Sequence, residues 1–226
     1  MAHKTPEVYD PSDFQWANAF EAAVPEIRKE LQAVTEERFL PYPGELAPRA
    51  RWNVYPLFYP GTTVEKATQT CPVTTSLART VPGVQMAAFS WLKPGTHIAP
   101  HKGFAKSLLR SHLALEIPKG DVALRVGSSF IRWEQGSFYV FDDTYEHEAW
   151  NNTEEERVIL MVDFLRPWRW RTSTLGHFNQ RYFKRNKVKE IYQELFEANQ
   201  KEAEKYGVTD ARDLIGNGRD PYESQR

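Results

Sequence analysis

Apolar residues recur at helical spacing over residues 13–37, where Phe14, Ala17, Phe20, Val24, Ile27, Leu31 and Val34 form one stripe. Ser12 or Asp13 can cap this segment, and Pro25 within it predicts a kink or two short helices. Residues 40–63, "LPYPGELAPRARWNVYPLFYPGTT", are dense in proline and aromatics and predict an extended, wrapping segment. "CPVTTSLARTVPG" then predicts one short helix ending before Pro82. From 85 to 165 the period changes to two. "VQMAAFSWL", "SLLRSHLALEI", "VALRVG", "SFIRWEQG", "SFYVFDD", "HEAWNN" and "RVILMVDFL" read as short strands separated by Gly, Pro, Asp and Asn turns. Such closely spaced strands predict a mainly β fold, a double-stranded β-helix (jelly roll, cupin-like) with flanking N- and C-terminal helices. After Pro167 a helical stripe returns at Val188, Ile191, Tyr192, Leu195 and Phe196, and the tail beyond Gly207 is polar. The expected organisation is one domain over 1–226. It comprises a helical and wrapping segment at 13–80, a jelly-roll core at 82–167 and a basic, aromatic helical extension at 168–226.

The chain has 226 residues, of which 41% are hydrophobic and 26% charged, with a net charge of −1. That balance favours neither nucleic acid nor a membrane surface as a partner of the whole molecule. The start, "MAHKTPEVYD", lacks the apolar run of a secretory signal, and no stretch approaches the roughly 18 apolar residues of a membrane span. Cys71 is the only cysteine, so no intrachain disulfide can form, and a cytoplasmic location is expected. One local exception is residues 166–189, with eight Lys or Arg, no acid, and interleaved aromatics. This segment reads as a solvated helix face packed on the barrel, or as a receiver for a carrier protein or a lipid phosphate.

Four of the six histidines, His97, His101, His112 and His147, fall inside the strand-rich region. Alternate residues of a strand share a face, so Arg110, His112, Ala114 and Glu116 lie together, opposite Leu109, Ser111, Leu113, Leu115 and Ile117. Arg157, Ile159, Met161 and Asp163 likewise share a face. A barrel mouth holding two arginines and several histidines suits a small anion. The plainer alternative is that Arg110 and Arg157 pair with Glu116, Asp142 or Asp163. His101 follows a turn in "KPGTHIAP" that would bring it to the barrel rim, and His147 follows an Asp-Asp turn. Two such imidazoles suit Fe(II), Zn(II) or Ni(II).

The stretches "FSWLKPGTHIAPHKG", "LLRSHLALEIPK" and "WEQGSFYVFDDTYEHEAWNNTEEERVILMVDFLRP" closely resemble the aspartyl/asparaginyl β-hydroxylase family of Fe(II)- and 2-oxoglutarate-dependent oxygenases. The resemblance implies that His101 and His147 are the metal ligands, with Gly103 where related enzymes carry a third, carboxylate ligand and water in its place. It further implies that Arg157 and Ser90 hold the distal carboxylate of 2-oxoglutarate. His112 and the catalytic Arg110 would lie beside its iron-bound end and the acidic group of the substrate, and His97 would make a rim hydrogen bond. The implied cofactors are Fe(II), the co-substrate 2-oxoglutarate and O2. The implied substrate is a small-molecule, carrier-bound or peptide Asp/Asn-like group, hydroxylated at its β-carbon. Leu108 replaces a second basic residue of the animal enzymes, and "TCPVTTSLARTVPGV" and "FLRPWRWR" resemble the lipid A 2-hydroxylase branch, so a lipid acyl chain is the alternative substrate. A non-catalytic, cupin-like metal-binding protein and a zinc hydrolase or isomerase are further readings. Gly103→Asp is expected to give the metal a third ligand.

Overall fold

A computed structural model of the chain describes residues 5–34, 36–42, 46–48 and 51–167, together with helical positions at Glu190, Gln193, Glu194, Glu197, Ala198 and Lys201. The basic segment at 168–189 and the apolar stripe expected beyond it lie outside the described residues. The strands are β1 (Val8–Tyr9), β2 (Leu40–Pro41), β3 (Trp52–Tyr59), β4 (Thr62–Thr63), β5 (Val84–Leu92), β6 (Thr96–His101), β7 (Leu108–Glu116), β8 (Val122–Val126), β9 (Ser129–Ile131), β10 (Phe138–Phe141), β11 (His147–Asn151) and β12 (Arg157–Leu165). The helices are α1 (Ala17–Ala22), α2 (Val24–Gln32), α3 (Glu65–Thr70) and α4 (Pro72–Arg79).

The strands form two antiparallel sheets. The larger runs β1-β10-β7-β12-β5-β3-β2, with β4 beside β3, and the smaller runs β6-β11-β8-β9. In the larger sheet the residues directly opposite one another define two faces. One carries Leu113, Phe138, Leu160, Phe164, Phe89 and Tyr55, and against it pack Phe14, Trp16 and Phe20 of the N-terminal segment. Edge-on aromatic contacts fix this layer, with ring centroids 5.5 Å apart for Phe14 and Phe164 and 5.4 Å apart for Trp16 and Phe138. The leucine face of β7 is therefore core beneath the helices, and its Arg110–His112 face looks the other way, towards the smaller sheet. Covered on both sides, β7 and β12 are buried along nearly their whole length.

Several local expectations are revised. The 40–63 segment holds a full strand, β3, buried at every position. Pro56 is tolerated because β2 pairs with β3 only at Asn53 and Val54 and β4 only at Phe58 and Tyr59, leaving an open edge between them. Of the kink or two short helices expected around Pro25, two helices form, with Pro25 in the first turn of α2, where its missing N–H costs nothing. Neither Ser12 nor Asp13 caps α1, which starts after Trp16 without a side-chain cap; Asp10 caps a short 3-10 turn ahead of it, accepting from the Ser12 N–H at 2.9 Å. The stretch "CPVTTSLARTVPG" holds one helix, α4, which ends before Pro82 as expected, and α3 precedes it. Finally, a register shift between Val158 and Ile159 moves Glu116 off the Arg110 face, and Arg28 of α2 binds it through two bonds of 2.9 and 3.0 Å.

Candidate active site

The site lies between the two sheets. From the larger sheet, Ser90 of β5, Arg110 and His112 of β7, and Arg157, Met161 and Asp163 of β12 share the inward face. From the smaller sheet come His101 of β6 and His147 of β11, directly opposite one another across the pair. The turn expected before His101 is strand, and between His147 and Ala149 its register slips by one residue. Three steps on β6, from His101 to Ile98, answer two on β11. This bulge at Ala99–Pro100 turns His101 to the same side as Ile98, and it accommodates a proline that cannot donate to the ladder.

The two imidazoles have ring centroids 4.1 Å apart. His101 Nδ1 lies 2.8 Å from the Ala99 carbonyl and His147 Nδ1 lies 3.0 Å from the Tyr145 carbonyl. A carbonyl oxygen can only accept, so both Nδ1 atoms carry the proton and both Nε2 atoms keep a lone pair. Two backbone-anchored rings with bare Nε2 atoms fit a borderline cation such as Fe(II). Among the described residues no group of three or more His, Cys, Asp or Glu side chains is gathered as a metal site.

Burial keeps these rings neutral, as a metal requires. His147 is pulled down to about 3, chiefly by burial and then by the neighbouring His101, and His101 is lowered mainly by burial. An unfolded imidazole titrates near 6.5, roughly its ordinary value. Below that pH the unfolded chain binds protons that the folded chain refuses, so stability falls as pH drops from about 6.5 towards 3. Metal-free protein is expected to lose stability across this window, and His147→Gln to remove part of the slope. Denaturant titrations of both proteins over the window provide the check, and identical slopes would assign the loss to other groups.

Arg110 and Arg157 meet different fates. Arg110 makes a two-pronged pair with Asp163, both bonds 2.7 Å, and its Nη2 lies 3.9 Å from Asp143. The pairing alternative thus holds for Arg110. Arg157 is only 2% exposed, and no carboxylate among the described residues pairs with it. Its Nη1 donates to the Ser90 carbonyl at 3.2 Å and reaches Ser90 Oγ at 3.5 Å, while its Nε has no partner. Burial lowers its pKa to about 9. Ser90 Oγ also accepts from the Trp52 indole at 3.0 Å, so its own proton remains to be donated. His112 is buried with an unpartnered Nδ1, and burial, Arg157 and Arg110 push its pKa well below the ordinary value. A buried cation, a hydroxyl and an imidazole without counter-charge make a cradle for an anion.

Four residues of this region were not singled out in the sequence. Asp143 is buried, and its peptide carbonyl accepts from the Gly103 N–H at 2.7 Å. A Cβ added at Gly103 would stand 2.2 Å from Asp143 Oδ2, so the Asp143 carboxylate fills the space a side chain at 103 would need. Burial raises the Asp143 pKa to about 6, against the lowering effect of Arg110. Trp52 lies 6.4 Å from the His101 ring and carries Tyr42 stacked on it at 3.7 Å. Trp133 lies over Arg157, 5.0 Å from ring centroid to guanidinium carbon. Asp142, the other half of the Asp-Asp turn, pairs at 2.7 Å with Arg166 and is structural. His97 lies on the outer face and meets Glu148 at 2.7 Å.

Comparison with known proteins identifies the family. Residues 21–167 match the family model described as aspartyl/asparaginyl beta-hydroxylase. The chain belongs to that family. This aspartyl/asparaginyl beta-hydroxylase family member is 37% identical to the ornithine lipid ester-linked acyl 2-hydroxylase of Rhizobium tropici over 172 residues, which cover 72% of this chain and 61% of that protein. It is 34% identical to the human aspartyl/asparaginyl beta-hydroxylase over 149 residues, covering 62% of this chain and 20% of the human protein. The match thus spans less than two thirds of either relative. Among solved structures, a Pseudomonas putida prolyl-4-hydroxylase superposes with a TM-score of 0.43 at 19% identity, covering 67% of this chain and 88% of that one. Among the described residues, no helix is long and apolar enough to cross a membrane.

Proposed function

We propose that this chain is an Fe(II)- and 2-oxoglutarate-dependent oxygenase that hydroxylates an unactivated C–H bond. The observation that carries this is Arg157. A guanidinium shut inside the protein with no acidic partner among the described residues is costly unless a ligand brings the missing charge. A keto-diacid does so, with its distal carboxylate on Arg157 and Ser90 and its other end extending past His112 and Arg110 to the metal. When bound through His101 and His147, iron supplies O2 activation coupled to decarboxylation of 2-oxoglutarate to succinate and CO2. The protein's share is positional: the Ala99 and Tyr145 carbonyls aim the two rings, and Arg157 fixes the co-substrate.

For the substrate, two observations favour an acyl chain over the Asp- or Asn-like group, whether free, carrier-bound or peptide-borne. Arg110, the cation that would receive an acidic substrate, is already engaged by Asp163, and Leu108 is buried at 3% exposure and adds no second charge. The Rhizobium tropici relative is named for an acyl 2-hydroxylation. The test is incubation with Fe(II), ascorbate and 2-oxoglutarate, alongside ester-linked acyl lipids, free aspartate, aspartyl peptides and carrier-loaded aspartate. Succinate should form together with a product heavier by one oxygen atom, most with the acyl lipid. Turnover that persists without O2 and 2-oxoglutarate would select the zinc hydrolase or isomerase reading. Metal binding with no succinate from any substrate would select the non-catalytic one.

A further inference from the structure

Trp133 follows β9 and is 5% exposed, pointing inward although its neighbours Arg132 and Glu134 are exposed. Its indole plane carries the Arg157 guanidinium at 5.0 Å, and its ring centroid lies 5.9 Å from that of His112. Its Nε1–H is buried without a hydrogen-bond partner, as are Arg157 Nε and His112 Nδ1. Three orphaned buried polar atoms on three adjoining side chains are unusual in a folded interior, where such groups are almost always satisfied.

We propose that Trp133 is a positioning residue for the anion cradle: its π face stabilises the buried Arg157 guanidinium without neutralising it, keeping the full positive charge available to a small dicarboxylate. The distinction from an ordinary partner is electrostatic. A carboxylate beside Arg157 would satisfy the cation and compete with any incoming anion. An indole face attracts the cation through its quadrupole and carries no charge, so it can fix the fork and leave its hydrogen-bonding edge open. Arg110, held by Asp163, shows the opposite arrangement a few residues away. The inference rests on the reading of this cradle as the 2-oxoglutarate site and adds the group that holds it ready.

The test measures binding rather than turnover. 2-Oxoglutarate, succinate and glutarate are titrated into the parent protein, Trp133→Leu and Trp133→Phe, each with Zn(II) in place of iron, by calorimetry and by indole fluorescence. Loss of a desolvated cation–π contact corresponds to roughly a thirtyfold change in affinity. Trp133→Leu is expected to weaken 2-oxoglutarate binding by about that factor, and Trp133→Phe, which keeps an aromatic face, to recover part of it. Ligand binding should change the parent's fluorescence more than that of Trp133→Phe, which keeps Trp52 beside Ser90. With iron, the apparent KM for 2-oxoglutarate should rise in Trp133→Leu while kcat changes little. Equal affinity of Trp133→Leu and the parent overturns the role of Trp133 and leaves the co-substrate reading intact. Trp133-dependent binding of succinate or glutarate without 2-oxoglutarate binding supports the role and removes the co-substrate reading. If the parent binds none of the three, both fall.

Discussion

Arg157→Met is expected to make the metal-free protein more stable and the co-substrate site nearly useless. Ordinarily the loss of a fully buried side chain is destabilising, and the loss of a buried ion pair's partner strongly so. Arg157 differs because no acid among the described residues compensates its charge. Methionine has similar length, tolerates an irregular cavity and can contact Trp133 through its sulfur. Removing an uncompensated charge from the interior in this way should raise unfolding free energy by about 1–3 kcal/mol. The same change removes a charge-assisted fork from the distal carboxylate of 2-oxoglutarate, for a loss of about 100-fold or more in affinity. Denaturant unfolding and a 2-oxoglutarate titration, run on the same preparation, check both signs together. A variant destabilised by about 3 kcal/mol would mean that Arg157 serves the fold, as an ordinary buried partner would.

That contrast between the two arginines could not be read from the sequence, though much around it could. The alternation in "SLLRSHLALEI" and "RVILMVDFL" placed Arg110, His112, Arg157 and Asp163 on common faces, because side-chain direction along a regular strand follows from period alone. The family motif brought His101, His147 and Ser90 to the same interior. What period alone cannot reveal is pairing across strands. Asp163 was one acid among three candidate partners for Arg110, and only the register sets it directly opposite. Irregularities were equally hidden. The shift before Ile159 moved Glu116 to the helix side, and the proline-rich look of "YPLFYP" concealed a central strand whose proline sits at a gap between edge partners. Alternation in "SFIRWEQG" sets Trp133 on the Ile131 face, but nothing in it shows that the indole would lie over Arg157. The Asp-Asp pair after β10 gave no sign that Asp142 would bind Arg166 while Asp143 packed against Gly103.

Asp143 also changes what Gly103→Asp should do. A vacant ligand position at 103 would accept a carboxylate and gain metal affinity; the structure shows that position already filled. A Cβ there would meet Asp143 Oδ2 at 2.2 Å, far inside contact distance, and the new acid would be confined beside a buried one. Steric overpacking and like-charge burial act in the same direction, for a combined cost of about 3–5 kcal/mol. Gly103→Asp is therefore expected to unfold at markedly lower denaturant and to bind Fe(II) no better than the parent. Gly103→Ala should show the steric part alone. The double variant Gly103→Asp/Asp143→Gly exchanges the carboxylate across the gap and should regain most of the loss. The result would be a coupling of about 1.5–3 kcal/mol between the two positions. Additive effects in that cycle would show that the two residues do not share this space. A single variant of parental stability with tighter metal binding would restore the vacant-ligand view.

The bulge at Ala99–Pro100 makes the spacing of the ligand strand a matter of parity. Ile98 and His101 are an odd number of residues apart and yet point the same way, so at this spacing it is the bulge that turns the imidazole inward. Excising one residue there would restore a regular pleat, two steps on β6 answering two on β11, and would leave the histidine facing its partner. Spacing and bulge must therefore change together: losing the bulge while keeping all residues would turn the histidine outward, and losing one residue with the bulge would not.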